Sequence, residues 1–198
     1  MAITINGNGT ITGLSAGGLP NGSVTSATLA TGLASQGITM AQQWRITSNV
    51  DLTDANNDTT FTSNWEAVDT DGGGTIGSGL TNSSGIFSFP STGIYLISAS
   101  SSVESQWPDT TSAIWGIRLR IQTTTDGSNF SEAALGQANI QMNPTQLSML
   151  SCHHIFDVTN TSTHKFKLTG ESYTDTTTFL GDTASNETGF SVIRLGDT

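Results

Sequence analysis

Positive charge is scarce in this sequence. Six of its 198 residues are lysine or arginine, and the formal net charge is −10. Binding to nucleic acid requires clustered cations that neutralise phosphates, and an anionic membrane surface makes the same demand. The shortage of cations therefore argues against a nucleic-acid partner and against attachment to an anionic membrane.

Cysteine and long apolar runs are also nearly missing. Cys152 is the sole cysteine, so an intrachain disulfide is excluded and the fold does not depend on an oxidising compartment. The first residues, Met1–Gly7, have neither the basic nor the apolar segment of a secretory signal. No window approaches 18 apolar residues. We therefore expect a protein that is made in a cytosol and does not insert into a membrane.

Charged residues of both signs make up only 11% of the chain, against about 25% in ordinary globular proteins. Threonine, serine, asparagine and 22 glycines supply the polarity instead. This composition is typical of β-sheets with solvated threonine faces and of turn-rich loops. It does not suit helical bundles, which are rich in glutamate, lysine and alanine.

Residues 1–41 are predicted to form an N-terminal extension of the domain that follows. Ile3-Thr4-Ile5 and Thr10-Ile11-Thr12 alternate around Asn6-Gly7-Asn8-Gly9, which predicts a hairpin, and residues 24–34 are compatible with one short helix. The segment contains no aromatic residue and cannot form its own core. Two interpretations stay open: a flexible leader, or an arm that orders when it docks on partner chains. We expect the docking arm.

Residues 42–198 read as one β-rich domain. Alternating or β-prone runs separated by turn signals predict strands at Gln42–Thr47, Trp65–Val68, Thr75–Leu80, Gly85–Phe89, Ile94–Val103, Ala113–Thr124, Phe130–Gln137, Gln146–Val158, Lys165–Thr169, Phe179–Leu180 and Phe190–Leu195. This pattern predicts an all-β antiparallel sandwich or jelly roll. Long strands with small residues on one face also suggest that this face packs against a subunit partner.

One stretch, Gly85–Ala99, organises this domain. Pro90 ends a short strand, Ser91-Thr92-Gly93 forms a tight turn, and a long β-prone run follows. We expect this strand pair at the centre of the antiparallel fold.

Signs of catalysis are weak. His153 and His154 are neighbours in a predicted strand and point to opposite faces, so they are poorly placed to share one metal. Cys152 is expected to be a buried thiol and not a nucleophile. No nucleophile elbow, phosphate loop or dinucleotide fingerprint occurs in a suitable context. A carboxylate pair stays open, but we expect no enzyme activity.

An acidic loop offers a candidate metal site. Asp69-Thr70-Asp71-Gly72 begins like a calcium loop, but the position that needs a bidentate glutamate is Leu80. The alternatives are a solvated hairpin tip and a calcium site at Asp69 and Asp71. We expect no cofactor, with Ca²⁺ as the alternative.

A candidate binding site lies at Trp107 and Asp109. Trp107 precedes Pro108-Asp109-Thr110-Thr111 in a predicted loop. An exposed loop tryptophan is either a binding anchor or a lid over the core. If the protein contacts a surface glycan, such a loop would stack on the sugar.

The stretch Gly85–Ile97 resembles the central segment of trimeric jelly rolls of the tumour necrosis factor and complement globular-head type, and Thr188–Gly196 is similar to the last strand of that family. The resemblance implies a homotrimer around a threefold axis, with core aromatics at the trimer interface. Its candidates for trimer or core positions are Phe87, Phe89, Tyr95 and Phe190.

Two further stretches resemble structural proteins of marine tailed phages, especially those of cyanobacteria: Ile3–Leu14 with Gly18–Val24, and Gln43–Thr47 with Asn64–Glu66. This resemblance implies a virion surface protein assembled in the host cytoplasm, a short fibre or head-decoration protein docked on capsid or tail proteins through residues 1–41. The alternatives are a receptor-binding tail fibre or lectin-like module that contacts host glycan, and a polysaccharide depolymerase.

Overall fold

The computed structural model describes residues 4–5, 11–12, 37–52, 54–105, 114–141, 146–173 and 177–198. The chain divides into two compact units, Met1–Gly37 and Ile38–Thr198. In the first unit β1 (Thr4–Ile5) pairs antiparallel with β2 (Ile11–Thr12), which confirms the predicted hairpin. Residues 24–34, whose sequence is compatible with one short helix, lie outside the described residues. The docking role of the arm stays a prediction.

The second unit is built from strands joined by turns. They are β3 (Ala41–Ile46), β4 (Val50–Leu52), β5 (Thr59–Thr60), β6 (Trp65–Ala67), β7 (Thr81–Ser83), β8 (Ile86–Ser88), β9 (Gly93–Ser105), β10 (Ile114–Thr124), β11 (Ser131–Gln141), β12 (Gln146–Val158), β13 (Lys165–Ser172), β14 (Thr177–Phe179) and β15 (Thr188–Gly196). The described residues form no helix, and so none that could span a membrane.

These strands form two antiparallel sheets. The first sheet has the order β11-β10-β13-β8-β7, with β5 paired to β13. The second sheet has the order β4-β14-β9-β15-β3-β6, with β12 paired along the whole length of β9. The strands cross between the sheets as in a jelly roll, which confirms the predicted all-β antiparallel fold.

An aromatic cluster fills the space between the sheets. Phe87 of the first sheet stacks on Phe166 and meets Trp44, Trp65 and Phe190 of the second sheet, with ring centroids 4.7–5.3 Å apart. Edge-to-face and offset pairs of this kind stabilise a core beyond the area they bury.

The structure also locates the four aromatics named above as candidates for trimer or core positions. Phe87, Phe89, Tyr95 and Phe190 are all buried inside a single chain. They therefore lie in the core, and not on the surface that a neighbouring subunit would contact.

The central stretch Gly85–Ala99 holds the strand, turn and long strand that were predicted, but the two strands do not pair with each other. β8 lies in the first sheet and β9 in the second. Gly93 has φ 146°, and a Cβ there would lie 2.7 Å from the carbonyl oxygen of Gly196. The turn therefore carries the chain across the sandwich. Phe89, which directly follows β8, and Tyr95 of β9 reach the same core, with ring centroids 4.6 Å apart.

The predicted strand at Thr75–Leu80 is wrong. Only a single bridge joins Ile76 to Ala41, and the strand of this region is β7, which begins at Thr81. Gly77 has φ 68°, a left-handed conformation that ends an extended run.

Candidate functional site

The feature that stands out on the second sheet is the outward side of β12. Alternate residues of this strand, Leu150, Cys152, Phe156 and Val158, point into the core. The residues between them point away from it, and these include Leu147, Met149 and Ile155, which are 69%, 78% and 59% exposed. A strand with apolar residues on both faces is typical of a sheet that is covered on both sides.

The apolar character continues across neighbouring strands. In the sheet register Ile155 lies beside Leu96 of β9, Leu96 beside Ile193 of β15, and Ile193 beside Ala41 of β3. Leu96, Ile193 and Ala41 are half-buried. We call this row, together with Leu147 and Met149, the outer apolar face.

The centre of this side of the sheet carries no aspartate, glutamate, lysine or arginine. The row next to Ile155 consists of His153, Ser98, Ser191 and Gln43. The charged side chains of these strands lie at the rim, with Asp157 and Glu104 on the β9–β12 pair and Arg45 at the far end of the sheet. In a chain with net charge −10, an uncharged sheet centre is a surface on which copies can meet without repulsion.

The residues considered for catalysis take ordinary positions. His153 is exposed, whereas burial lowers the pKa of His154, whose ring centroid lies 5.9 Å from that of Phe156 on the core side. The two histidines thus point to opposite faces as predicted. Cys152 is buried, and burial raises its thiol pKa to about 11, which keeps the thiol protonated at neutral pH.

The two acidic residues of the predicted calcium loop are exposed at a loop tip. Among the described residues no group of three histidine, cysteine, aspartate or glutamate side chains could hold a metal ion. Trp107 and Asp109 lie outside the described residues, so their binding role stays a prediction.

Two features of the site were not identified from the sequence. One is the outer apolar face, whose signal is the apolar alternation of Gln146–Val158 on both faces. The other is Arg45, a buried cation on β3 whose Nε donates to Glu66 Oε2 at 3.2 Å and whose Nη1 donates to Thr70 Oγ1 at 3.1 Å. Its burial depends on partners that are distant in the sequence.

Solved structures with the same architecture are found among tumour necrosis factor relatives. Murine APRIL superposes with a TM-score of 0.52 and 13% identity, covering 79% of this chain and 98% of APRIL. The Eiger TNF of S. frugiperda superposes with a TM-score of 0.54 and 11% identity, covering 82% of this chain and 96% of Eiger. No protein-family model and no curated protein matches the sequence.

These likenesses define the class of fold. The chain is a jelly roll of the tumour necrosis factor type, which is the fold that the Gly85–Ile97 and Thr188–Gly196 stretches resemble. At identities this low the likeness concerns the fold alone.

Proposed function

We propose that the protein is a homotrimeric structural protein on the surface of a tailed phage virion. The jelly roll is the exposed head, and three copies pack together through the outer apolar face. Residues 1–41 dock the head on capsid or tail proteins, and assembly takes place in the host cytoplasm. The observation that carries the self-association is the exposed row on β12 and its neighbours.

The energetics favour covering this face. Fully burying a leucine, isoleucine or methionine side chain contributes about 1.5–3 kcal/mol. Leu147, Met149 and Ile155 are exposed by 69%, 78% and 59%, so covering them contributes about 1–2 kcal/mol each. Each head would thus gain about 3–6 kcal/mol from three side chains alone, before the half-buried neighbours are counted.

A closed ring suits this surface. An interface between the outer apolar face of one copy and a different surface of the next is heterologous, and such contacts make closed rings when the rotation closes. The tumour necrosis factor fold of the head supports a ring of three.

The virion role rests on the first 41 residues. Their aromatic-free composition leaves them without a core of their own, as expected for an arm that orders on a partner. The stretches Ile3–Leu14 and Gly18–Val24, which resemble structural proteins of marine tailed phages, lie within this segment. We therefore propose a head-decoration protein or short fibre, with the head free to contact glycan on the host surface.

A paired substitution tests the self-association. Met149→Glu places a carboxylate on the outer apolar face, and Leu135→Glu places one at another exposed apolar position, on β11 of the first sheet. We expect Met149→Glu to sediment as a monomer in analytical ultracentrifugation and Leu135→Glu to sediment like the unchanged protein. Equal sedimentation of all three proteins would contradict the assignment of this face.

A further inference from the structure

A depression of about 290 Å³ opens beside the end of β3. Its walls are the loop after β6 and the loop before β15, and its polar lining comes from Gln43, Arg45, Thr70, Asp71 and Asn186. Polar groups that converge on one concavity can fix the orientation of a bound small molecule.

Arg45 supplies the second observation. It is 1% exposed, and two of its three guanidinium nitrogens have partners, Glu66 for Nε and Thr70 for Nη1. The third, Nη2, is buried and has no hydrogen-bond partner among the residues that the structure describes. A buried donor without an acceptor is costly, and each such group calls for an explanation. An acceptor oxygen from a bound molecule provides one.

The loop geometry also places Asp71 at this depression. Asp71 has φ 53°, a left-handed conformation that is uncommon for a residue other than glycine. Asp71 and Gly72, which has φ 82°, form a tight turn of the kind that aspartate and glycine favour, and Asp71 lines the depression from this turn.

The local charge selects the kind of ligand. Arg45 contributes one positive charge, while Glu66, Asp71 and Asp182 contribute three negative ones, so the surroundings carry a net charge of 1 − 3 = −2. An anionic ligand would be repelled, as it would be by the whole chain at −10. A calcium ion would be repelled by the positively charged Arg45 guanidinium in the same depression. A neutral molecule with many hydroxyl groups avoids both conflicts, since hydroxyls donate to a carboxylate and accept from a guanidinium.

We propose that this depression binds a neutral hexopyranose unit of a surface glycan. One sugar hydroxyl accepts a hydrogen bond from Arg45 Nη2, a second donates to the Asp71 carboxylate, and the amide of Asn186 binds another. The inference rests on the glycan contact in the function proposed above, and it gives that contact a place on the head.

The test is a titration of the ¹⁵N-labelled full-length protein with methyl glycosides of glucose, galactose and mannose, each to about 10 mM, tenfold above a millimolar dissociation constant. Glucuronate is the charged comparison. We expect saturable shifts of the Gly72, Gly73 and Asn186 amides with at least one neutral glycoside, and weaker binding of glucuronate. Absence of shifts with all three glycosides, shifts confined to other residues, or tighter binding of glucuronate would overturn the proposal.

Two variants sharpen the test. Asp71→Asn removes the charge but keeps a residue that tolerates the left-handed conformation, and we expect it to weaken binding about fivefold through one lost charge-assisted hydrogen bond. Asn139→Ala changes an exposed asparagine on β11, away from the depression, and should bind as the unchanged protein does. Equal affinity of both variants would contradict the site.

Sedimentation of the same samples separates the two proposals. Trimers that bind no glycoside refute the saccharide site and leave the assembly intact. Monomers that still bind refute the assembly and leave the site.

Discussion

Replacing Arg120 with methionine tests how much the ion pairs of Arg120 stabilise the first sheet. Arg120 of β10 is 8% exposed, and three carboxylates from separate segments surround it. Its Nε donates to Glu132 Oε2 of β11 at 2.7 Å, Nη1 donates to Asp58 before β5, and Nη2 donates to Glu171 of β13. Methionine keeps much of the length of the side chain and removes the charge.

The expected loss follows from the burial of the partners. Removing one member of a buried ion pair costs about 3–5 kcal/mol, because the other charge is left without compensation. Glu171 is 8% exposed but retains Arg118, whose Nη1 lies 3.1 Å from Glu171 Oε2. Asp58 and Glu132 are about half exposed and contribute at most about 1 kcal/mol each. We expect Arg120→Met to lower the free energy of unfolding by about 3 kcal/mol.

The double variant Arg120→Met/Glu171→Gln serves as the control. Without the buried carboxylate the uncompensated charge is gone, so the double variant should be more stable than Arg120→Met alone. Urea unfolding at one fixed protein concentration measures both, since the stability of an oligomer depends on concentration. A loss below about 1 kcal/mol, or a double variant no more stable than the single one, would refute the reasoning.

The ion pairs of Arg120 and Arg118 with Glu171 predict that the stability of the fold depends on pH. Burial raises the pKa of Glu171, but hydrogen bonds from Arg120 and Arg118 outweigh it and hold the pKa below its ordinary value of 4.5. A carboxyl whose folded pKa is depressed stabilises the fold above its unfolded pKa, and this contribution is lost as the pH falls through the folded value. Stability should therefore decrease below about pH 4.5, with a smaller decrease in Glu171→Gln. Equal pH profiles of the two proteins would contradict this.

Three further outcomes follow from the structure. Deleting residues 1–37, the first compact unit, should leave a folded head with an unchanged melting temperature that no longer joins particles, and attachment of the truncated chain would disprove the docking arm. Gly189→Ala should destabilise the head by about 1–3 kcal/mol in urea unfolding, because a Cβ there would lie 2.1 Å from the Trp44 carbonyl oxygen, and an unchanged midpoint would argue against this packing. Cys152 should resist a thiol reagent at pH 8 and react after denaturation, because burial raises its pKa to about 11, and rapid labelling of the native protein would contradict its burial.

The sequence predicts the long strands well. Gln146–Val158 has the same bounds in the structure, and Ala113–Thr124 differs from β10 by one residue. Period-two alternation over ten or more residues is a strong local signal. The short strands β4, β5 and β7 have two or three residues each and no such signal, and their partners alone define them.

Local sequence signals do not determine which strands pair with each other. Pro90 and Gly93 mark a turn between two strands, but a turn signal alone does not distinguish a hairpin from a crossing between sheets. Which one forms depends on the core, since Phe87 packs with Phe166 of β13 while Tyr95 lies on the second sheet. The partner residues of β8 on β13 lie about 80 positions further along the chain, so a local signal cannot contain this information.

The candidate sites depend on the same long-range information. From the sequence, a single arginine between Trp44 and Ile46 is expected to be an exposed charge. Its burial depends on hydrogen bonds to Glu66 and Thr70 on the neighbouring segment. The outer apolar face was readable in principle, since Leu147, Met149 and Ile155 alternate with the core residues of β12. Its extension through Leu96 to Ile193 requires the register of β9 with β15.

The most direct test of the central claim is the mass of the purified full-length protein in solution, measured by sedimentation equilibrium at several concentrations. Assembly through the outer apolar face predicts a trimer of about 62 kDa, three times the chain mass of 20.6 kDa. A stable monomer of 20.6 kDa at all concentrations would contradict it.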